Sequence, residues 1–271
     1  MKTIGVLIFC AGALLAQDNG ERATVPLHDP TRPPRIRAHL MSGGITVRGA
    51  DRRDVLVEAR AGDREERHER HPARADGMKR LDLPGGSNLD ITEEDNVVNI
   101  KTASWNRATD LVITVPRRSS LQLKCMNDGD IYVEQVDGEI DADNLNGKVT
   151  LKNVSGSVVA HSLNGTVLVT LDRIDGSKPM SFSTMNGEID VTLPDNVRAN
   201  VRMKTDNGDI FSDFDVKLDS GARMSSSEGG RQPDGTYHLR FDRTLRGTIN
   251  GGGPEFQFTT FNGQIYIRKK K

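Results

Sequence analysis

From residue 128 to residue 171 the apolar and polar positions alternate in runs that restart every nine residues. In register they read DGDIYVEQV, DGEIDADNL, NGKVTLKNV, SGSVVAHSL and NGTVLVTL. Alternation of period two predicts half-buried strands, with Ile131 and Val133, Ile140 and Ala142, Val149 and Leu151, Val158 and Ala160, and Val167 and Val169 pointing inward. Each run opens on Gly129, Gly138, Gly147, Gly156 or Gly165, preceded by Asp, Asn or Ser. Such dipeptides favour turns, because glycine reaches positive φ at low cost and Asn and Asp tolerate it. The pattern predicts strand, turn, strand, turn, and a short fixed period is the signature of a solenoid.

Two kinds of half-repeat alternate. Leu145 and Leu163 precede Asn-Gly turns, whereas Val136 and Val154 precede Asp-Gly and Ser-Gly. The true period is therefore 18 residues (9 + 9), with two walls per coil. Stacking at that period puts Ile131, Val149 and Val167 in one interior ladder and Val133, Leu151 and Val169 in the next. It also sets Asp130 beside Lys148 and Glu134 beside Lys152 on the outer face.

Looser copies follow at Gly187 and Gly208, and again at Arg246-Gly247 and Gly263; upstream, Ser42-Gly43-Gly44 precedes ITV. The coils are expected to widen toward the C-terminus, with a loop insertion at 217–236. Residues 35–116 read as further strands interrupted by a charged loop at 62–80, and they are expected to cap the stack that occupies 117–271. No sustained helical period appears after the first residues. Pro26, Pro30, Pro33 and Pro34 mark 17–34 as an extended linker. The opening MKTIGVLIFCAGALLAQ has the form of a secretory signal peptide cut after residue 16. No later run is long and apolar enough to span a bilayer as a helix.

The net charge is −1 with Lys and Arg scattered, which argues against nucleic acid as a partner. Cleavage would leave Cys125 alone in the mature chain, on the inward alternation of Leu121 and Leu123, as a small buried hydrophobe. Aromatic residues make up 4% of the chain, fewer than a sugar-stacking platform needs.

Motifs for catalysis and metals are weak. His68 and His71 have a ligand-like spacing but lie in the charged loop. Asp128, Asp130, Glu139, Asp141 and Asp143 could offer oxygen to Ca²⁺, yet the richer G-G-x-G-x-D repeat is missing and Lys148 and Lys152 neutralise the adjacent rung. A solvated charged wall accounts for them better. No G-x-S-x-G elbow, Walker loop or dinucleotide fingerprint is present; Ser157 sits in ordinary strand alternation, and His161 faces outward without an evident partner. Asp190, Asp209 and Arg202 are the residues through which a polysaccharide-cleaving β-helix could work. That enzymatic reading rests on fold analogy.

The Asn/Asp/Ser-Gly-x-Ile/Val-x-Val/Leu units, with DLVITVPRRSSLQL at 110–123 followed by NDGDI, LNGKV, LNGTV, MNGEIDVTLP and DNGDI, resemble the bacterial adhesin-like family of β-strand repeats, domain of unknown function 4097. The resemblance covers roughly 36–267 and implies a right-handed β-solenoid, export, and no established catalytic residues. The expectation is an all-β, adhesin-like binding or structural module of the envelope or surface, without cofactor or metal. Its partner would be an envelope or surface polymer or protein, and its oligomeric state stays open. A polysaccharide-active enzyme and a periplasmic envelope-sensing partner are the alternatives. Gly129, Gly138, Gly147, Gly156, Gly165, Gly187, Gly208 and Gly263 are the expected structural turn residues.

Overall fold

The computed structural model describes residues 21–61, 89–102, 108–127, 129–219, 226–231, 237–241 and 244–271. The expected signal peptide, His68, His71 and Asp128 lie outside them. Every regular element among these residues is a β-strand.

The strands stack as parallel rungs, each with one segment on a first wall and one on a second. Ile131, Val149, Val167, Ile189 and Ile265 follow one another in register up the second wall. Leu121, Ile140 and Val158 do the same on the first. The 18-residue period thus sets the pairing from residue 131 to residue 169, and both expected interior ladders form. These side chains are buried, so hydrophobic burial fixes the register: a slip of one residue would turn every one of them outward.

Rung order departs from chain order at both ends. Eight rungs are described, in the spatial order 97–102/109–116, 35–42/45–50, 120–127/131–134, 137–146/149–154, 155–164/167–171, 180–186/189–193, 255–262/265–269 and 199–207/210–212; they are numbered 1 to 8 below. The C-terminal rung is wedged between two rungs that precede it in the chain. The coils do not simply widen. The long spacing between Gly165 and Gly187 instead holds a turn, in which Ser177 N–H and Oγ–H both donate to Asp175.

Antiparallel strands cover the ends. Asp54–Ala61 lies on Thr109–Pro116, and Glu21–Pro26 lies on Asp54–Ala61. Leu89–Glu94 covers Val97–Thr102. At the far end Leu245–Ile249 pairs with Ala199–Asn207, and Lys217–Leu218 pairs with Leu245–Ile249. Parallel pairing crosses residue 117 unbroken, so the covering strands at the first end are 21–26, 54–61 and 89–94 rather than the whole of 35–116. Part of the expected linker is likewise built into the sheet. Asn96 anchors it at Asp29, accepting from the Asp29 N–H at 2.7 Å and donating to the Asp29 carbonyl at 2.6 Å. The expected loop at 217–236 contains Lys217–Leu218 and Ser226–Arg231, the latter paired with Tyr237–Phe241 as a separate ribbon.

The core thickens along the axis. The middle inward position of the first wall is Ala142 in rung 4, Ala160 in rung 5, Phe182 in rung 6 and Phe258 in rung 7, all buried. The two phenylalanine rings stack at 5.2 Å.

Candidate functional site

The turn between the walls is built from three columns. Six asparagines lie one above another, and each side-chain amide donates to the next: Asn207 to Asn262 at 2.8 Å, Asn262 to Asn186 at 2.7 Å, Asn186 to Asn164 at 2.8 Å, Asn164 to Asn146 at 2.9 Å, and Asn146 to Asn127 at 3.2 Å. Beside them Gly129, Gly147, Gly165, Gly187, Gly263 and Gly208 stack so closely that a Cβ on Gly165 would sit 2.1 Å from the Gly147 carbonyl oxygen. These glycine carbonyls accept hydrogen bonds from the third inward side chain of the next rung: Asn144 to Gly129 at 2.9 Å, Ser162 to Gly147 at 2.8 Å, Thr184 to Gly165 at 2.8 Å, Thr260 to Gly187 at 3.1 Å and Thr205 to Gly263 at 3.0 Å. Cys125 holds the same position, with its thiol on the Gly43 carbonyl. The residue expected as a plain hydrophobe is therefore also a member of a buried donor column. Buried carbonyls need such donors, and the binary pattern alone does not reveal them.

Gly138 and Gly156 belong elsewhere. Both lie within strands, Asp137–Asn146 and Val149–Asn164. The chain bends at Gln135 (φ 58°) and Asn153 (φ 52°), and Gly156 itself has a left-handed φ of 108°, whereas Gly138 does not.

At this second corner the stack carries a furrow of about 810 Å³. Its floor is the column Ser119, Gly138, Gly156 and Ile174, where a Cβ on Gly138 would come within 2.2 Å of the Ser119 carbonyl. One bank is the column Arg35, Ser120, Glu139 and Ser157. The other is Arg118, Asp137, Ser155 and Arg173. Lys178 and Asp175 close one end.

The carboxylates of the furrow are all engaged. Asp137 pairs with Arg173 at 2.6 Å, Glu139 with Lys178 at 2.7 Å and Arg35 at 3.9 Å, and Asp175 with Lys178 at 3.5 Å. The Lys178 ammonium, hydrogen-bonded to Glu139, holds that carboxyl below the usual glutamate range. Hydrogen bonds from Ser177 lower Asp175. Arg118 is exposed and has no ion pair among the described residues.

The other sequence candidates scatter. Asp190 is on the second wall, paired with Arg268 at 2.8 Å. Arg202 lies on the first wall, and Asp209 lies just after it. The three residues of the enzymatic reading share no wall. His161 has a partner after all: its Nδ1 is 2.9 Å from Ser183 Oγ. Asp143 pairs with Lys124 at 3.8 Å. The Asp130 carboxylate takes the backbone N–H of Lys148, not its ammonium, at 2.8 Å. Glu134 stands beside Lys152 in register but pairs with Arg48 at 3.0 Å. No group of three or more His, Cys, Asp or Glu with metal-holding geometry occurs among the described residues.

Residues 127–249 match the Toastrack family, DUF4097. This is the family that the sequence resembles. No curated protein matches the chain. Among solved structures, a candidate cell adhesion protein from Clostridium sporogenes ATCC 15579 is similar at 10% identity and a TM-score of 0.47, covering 93% of this chain and 100% of its own. A candidate adhesin from Bacteroides fragilis NCTC 9343 has 10% identity and a TM-score of 0.33, over 93% of this chain and 97% of its own. The Toastrack segment supplies Asp137, Glu139, Ser155, Ser157, Arg173 and Lys178 to the furrow, whereas Arg35 and Arg118 come from before it.

Proposed function

We propose that the chain is an exported, non-catalytic, adhesin-like binding module of the bacterial envelope or surface. In this reading the parallel rungs wind as a right-handed β-solenoid, and residues 1–16 are a cleaved leader. Gly129, Gly147, Gly165, Gly187, Gly208 and Gly263 let the rungs close at the Asn corner, while Gly138 and Gly156 do so on the furrow floor. The partner is a polymer or protein of the envelope or surface.

The furrow is the observation that carries this reading. It is a polar channel along the stack axis, three columns that carry hydroxyls, guanidiniums and carboxylates, with its floor held by stacked backbone and one end closed by the turn at 175–178. Rigid presentation of repeated polar groups suits weak multivalent contact. A right-handed winding is supported by the general preference of parallel crossover connections.

Fractionation of native cells, protease shaving of intact cells and N-terminal sequencing of the mature chain test the proposal. Mature protein shaved from outside supports surface display. An uncleaved chain recovered from the cytoplasm overturns export.

A further inference from the structure

We propose that the furrow binds an anionic glycan laid along the stack axis, with Arg118 as its anion-recognition residue. This rests on the binding-module reading and names the ligand class.

Charge comes first. Asp137 pairs with Arg173, while Glu139 and Asp175 share Lys178, and Arg35, 3.9 Å from Glu139, supplies the third positive charge. Arg118 has no partner among the described residues. Three cations thus stand against three carboxylates and Arg118 is the surplus guanidinium, whose planar fork of N–H donors matches a carboxylate or phosphate. Neither Arg35 nor Arg118 belongs to the Toastrack segment.

Ligand shape follows from the banks. Ser120 and Ser157 line one side and Ser155 the other, and none of their hydroxyls is engaged by a side chain of the described residues. Ser120 and Ser157 stand two rungs apart with Glu139 between them, about 9.6 Å at the ordinary strand spacing, which matches hydroxyls repeated on every second sugar of a polymer. No aromatic residue lines the furrow, so a neutral sugar would find no stacking face and charge must carry the recognition. An extended peptide is disfavoured for a separate reason. Strands 120–127, 137–146 and 149–164 are paired on both edges, which leaves no free backbone ladder for an added strand.

The test is calorimetric titration of the full chain with polygalacturonate, its methyl ester, dextran and poly-L-glutamate. Binding is expected for polygalacturonate, about tenfold weaker for the ester, and weakened by salt. Arg118→Ala should lower affinity about tenfold, the loss of one charge-assisted contact, with an unchanged melting temperature because the side chain is exposed and unpaired. Arg202→Ala, at the far end of the first wall, should change nothing. Equal binding of ester or dextran overturns the anionic assignment while leaving the binding-module reading intact. Equal, Arg118-dependent binding of poly-L-glutamate overturns the glycan. An equal loss in Arg202→Ala overturns the furrow as the site. Absence of binding to all four overturns this inference, and the shaving experiment decides the broader reading separately.

Discussion

Asn164 donates its side-chain amide to Asn146 Oδ1 at 2.9 Å, one rung away, while its own oxygen accepts from Asn186 at 2.8 Å. Interior members of this column make two such bonds and end members make one. Asn164→Ala should therefore destabilise by about 1–2 kcal/mol and Asn127→Ala by about half as much, at roughly 1 kcal/mol net per hydrogen bond. Urea unfolding checks this; equal losses at both positions would deny the column a role as a connected unit.

Gly165 separates close approach from backbone freedom. A Cβ there meets the Gly147 carbonyl oxygen at 2.1 Å, without a left-handed φ to explain the glycine. Gly165→Ala should cost about 1–3 kcal/mol by overpacking. Gly176, with nothing within 4 Å of a built Cβ, should accept alanine with a change within about 0.5 kcal/mol. Comparison of the two melting temperatures settles it.

Asn144 is the one described member of the donor column whose carbonyl oxygen is buried without a partner. Thr184, Thr205 and Thr260 do the same task with a hydroxyl. Asn144→Thr keeps a donor for the Gly129 carbonyl and removes the orphaned acceptor, so a gain of about 1 kcal/mol is expected. A loss would mean that the longer amide is needed to reach the Lys148 carbonyl, at 3.3 Å.

The Glu139–Lys178 pair sets a local pH window. Glu139 is lowered, chiefly by its hydrogen bond from Lys178, so its contribution is present above the ordinary glutamate range and lost as pH falls through the folded value. Lys178 is raised by the same bond, so its contribution is present below the ordinary lysine range and lost as pH rises through its folded value. The tie holds through neutral pH and opens at both extremes. Carboxyl NMR should find Glu139 titrating higher in Lys178→Met. Global stability should barely move, as both side chains are about half exposed.

A chain ending at residue 254 should fail as a whole rather than lose one end. It lacks Phe256 and Phe258, both fully buried, and leaves rungs 6 and 8 without the rung between them. Loss of the cooperative urea transition, with association on size exclusion, is the expected outcome. A monomeric product with a native-like transition would contradict the rung order.

The alternation of Ile131, Val133, Val149 and Leu151 made the walls, the period and the interior ladders legible, because burial imposes a strict period of two. Rung order was not legible. Residues 199–212 and 255–269 carry the same Asn-Gly signature, and nothing local states which of them lies beside 180–193. The furrow was hidden for a similar reason. Arg118 and Asp137 pair across 19 residues rather than 18, so the repeat register read straight past their column. Cys125, Asn144 and Ser162 occupy inward positions where polarity looks like an interruption, until the glycine carbonyls they satisfy are seen.

The wedged C-terminal rung has a consequence for timing. A chain delivered from its N-terminus can lay down rungs 2 to 6 only after the 97–116 detour is made, and residues 199–212 must then wait apart until 255–269 arrives to fill the gap between them and rung 6. Residues 255–269 complete the middle of one end rather than its tip. The finished stack is thus a record that residues 255–269 were delivered, and a copy ended before them shows two facing bare edges to any protease or chaperone that inspects it.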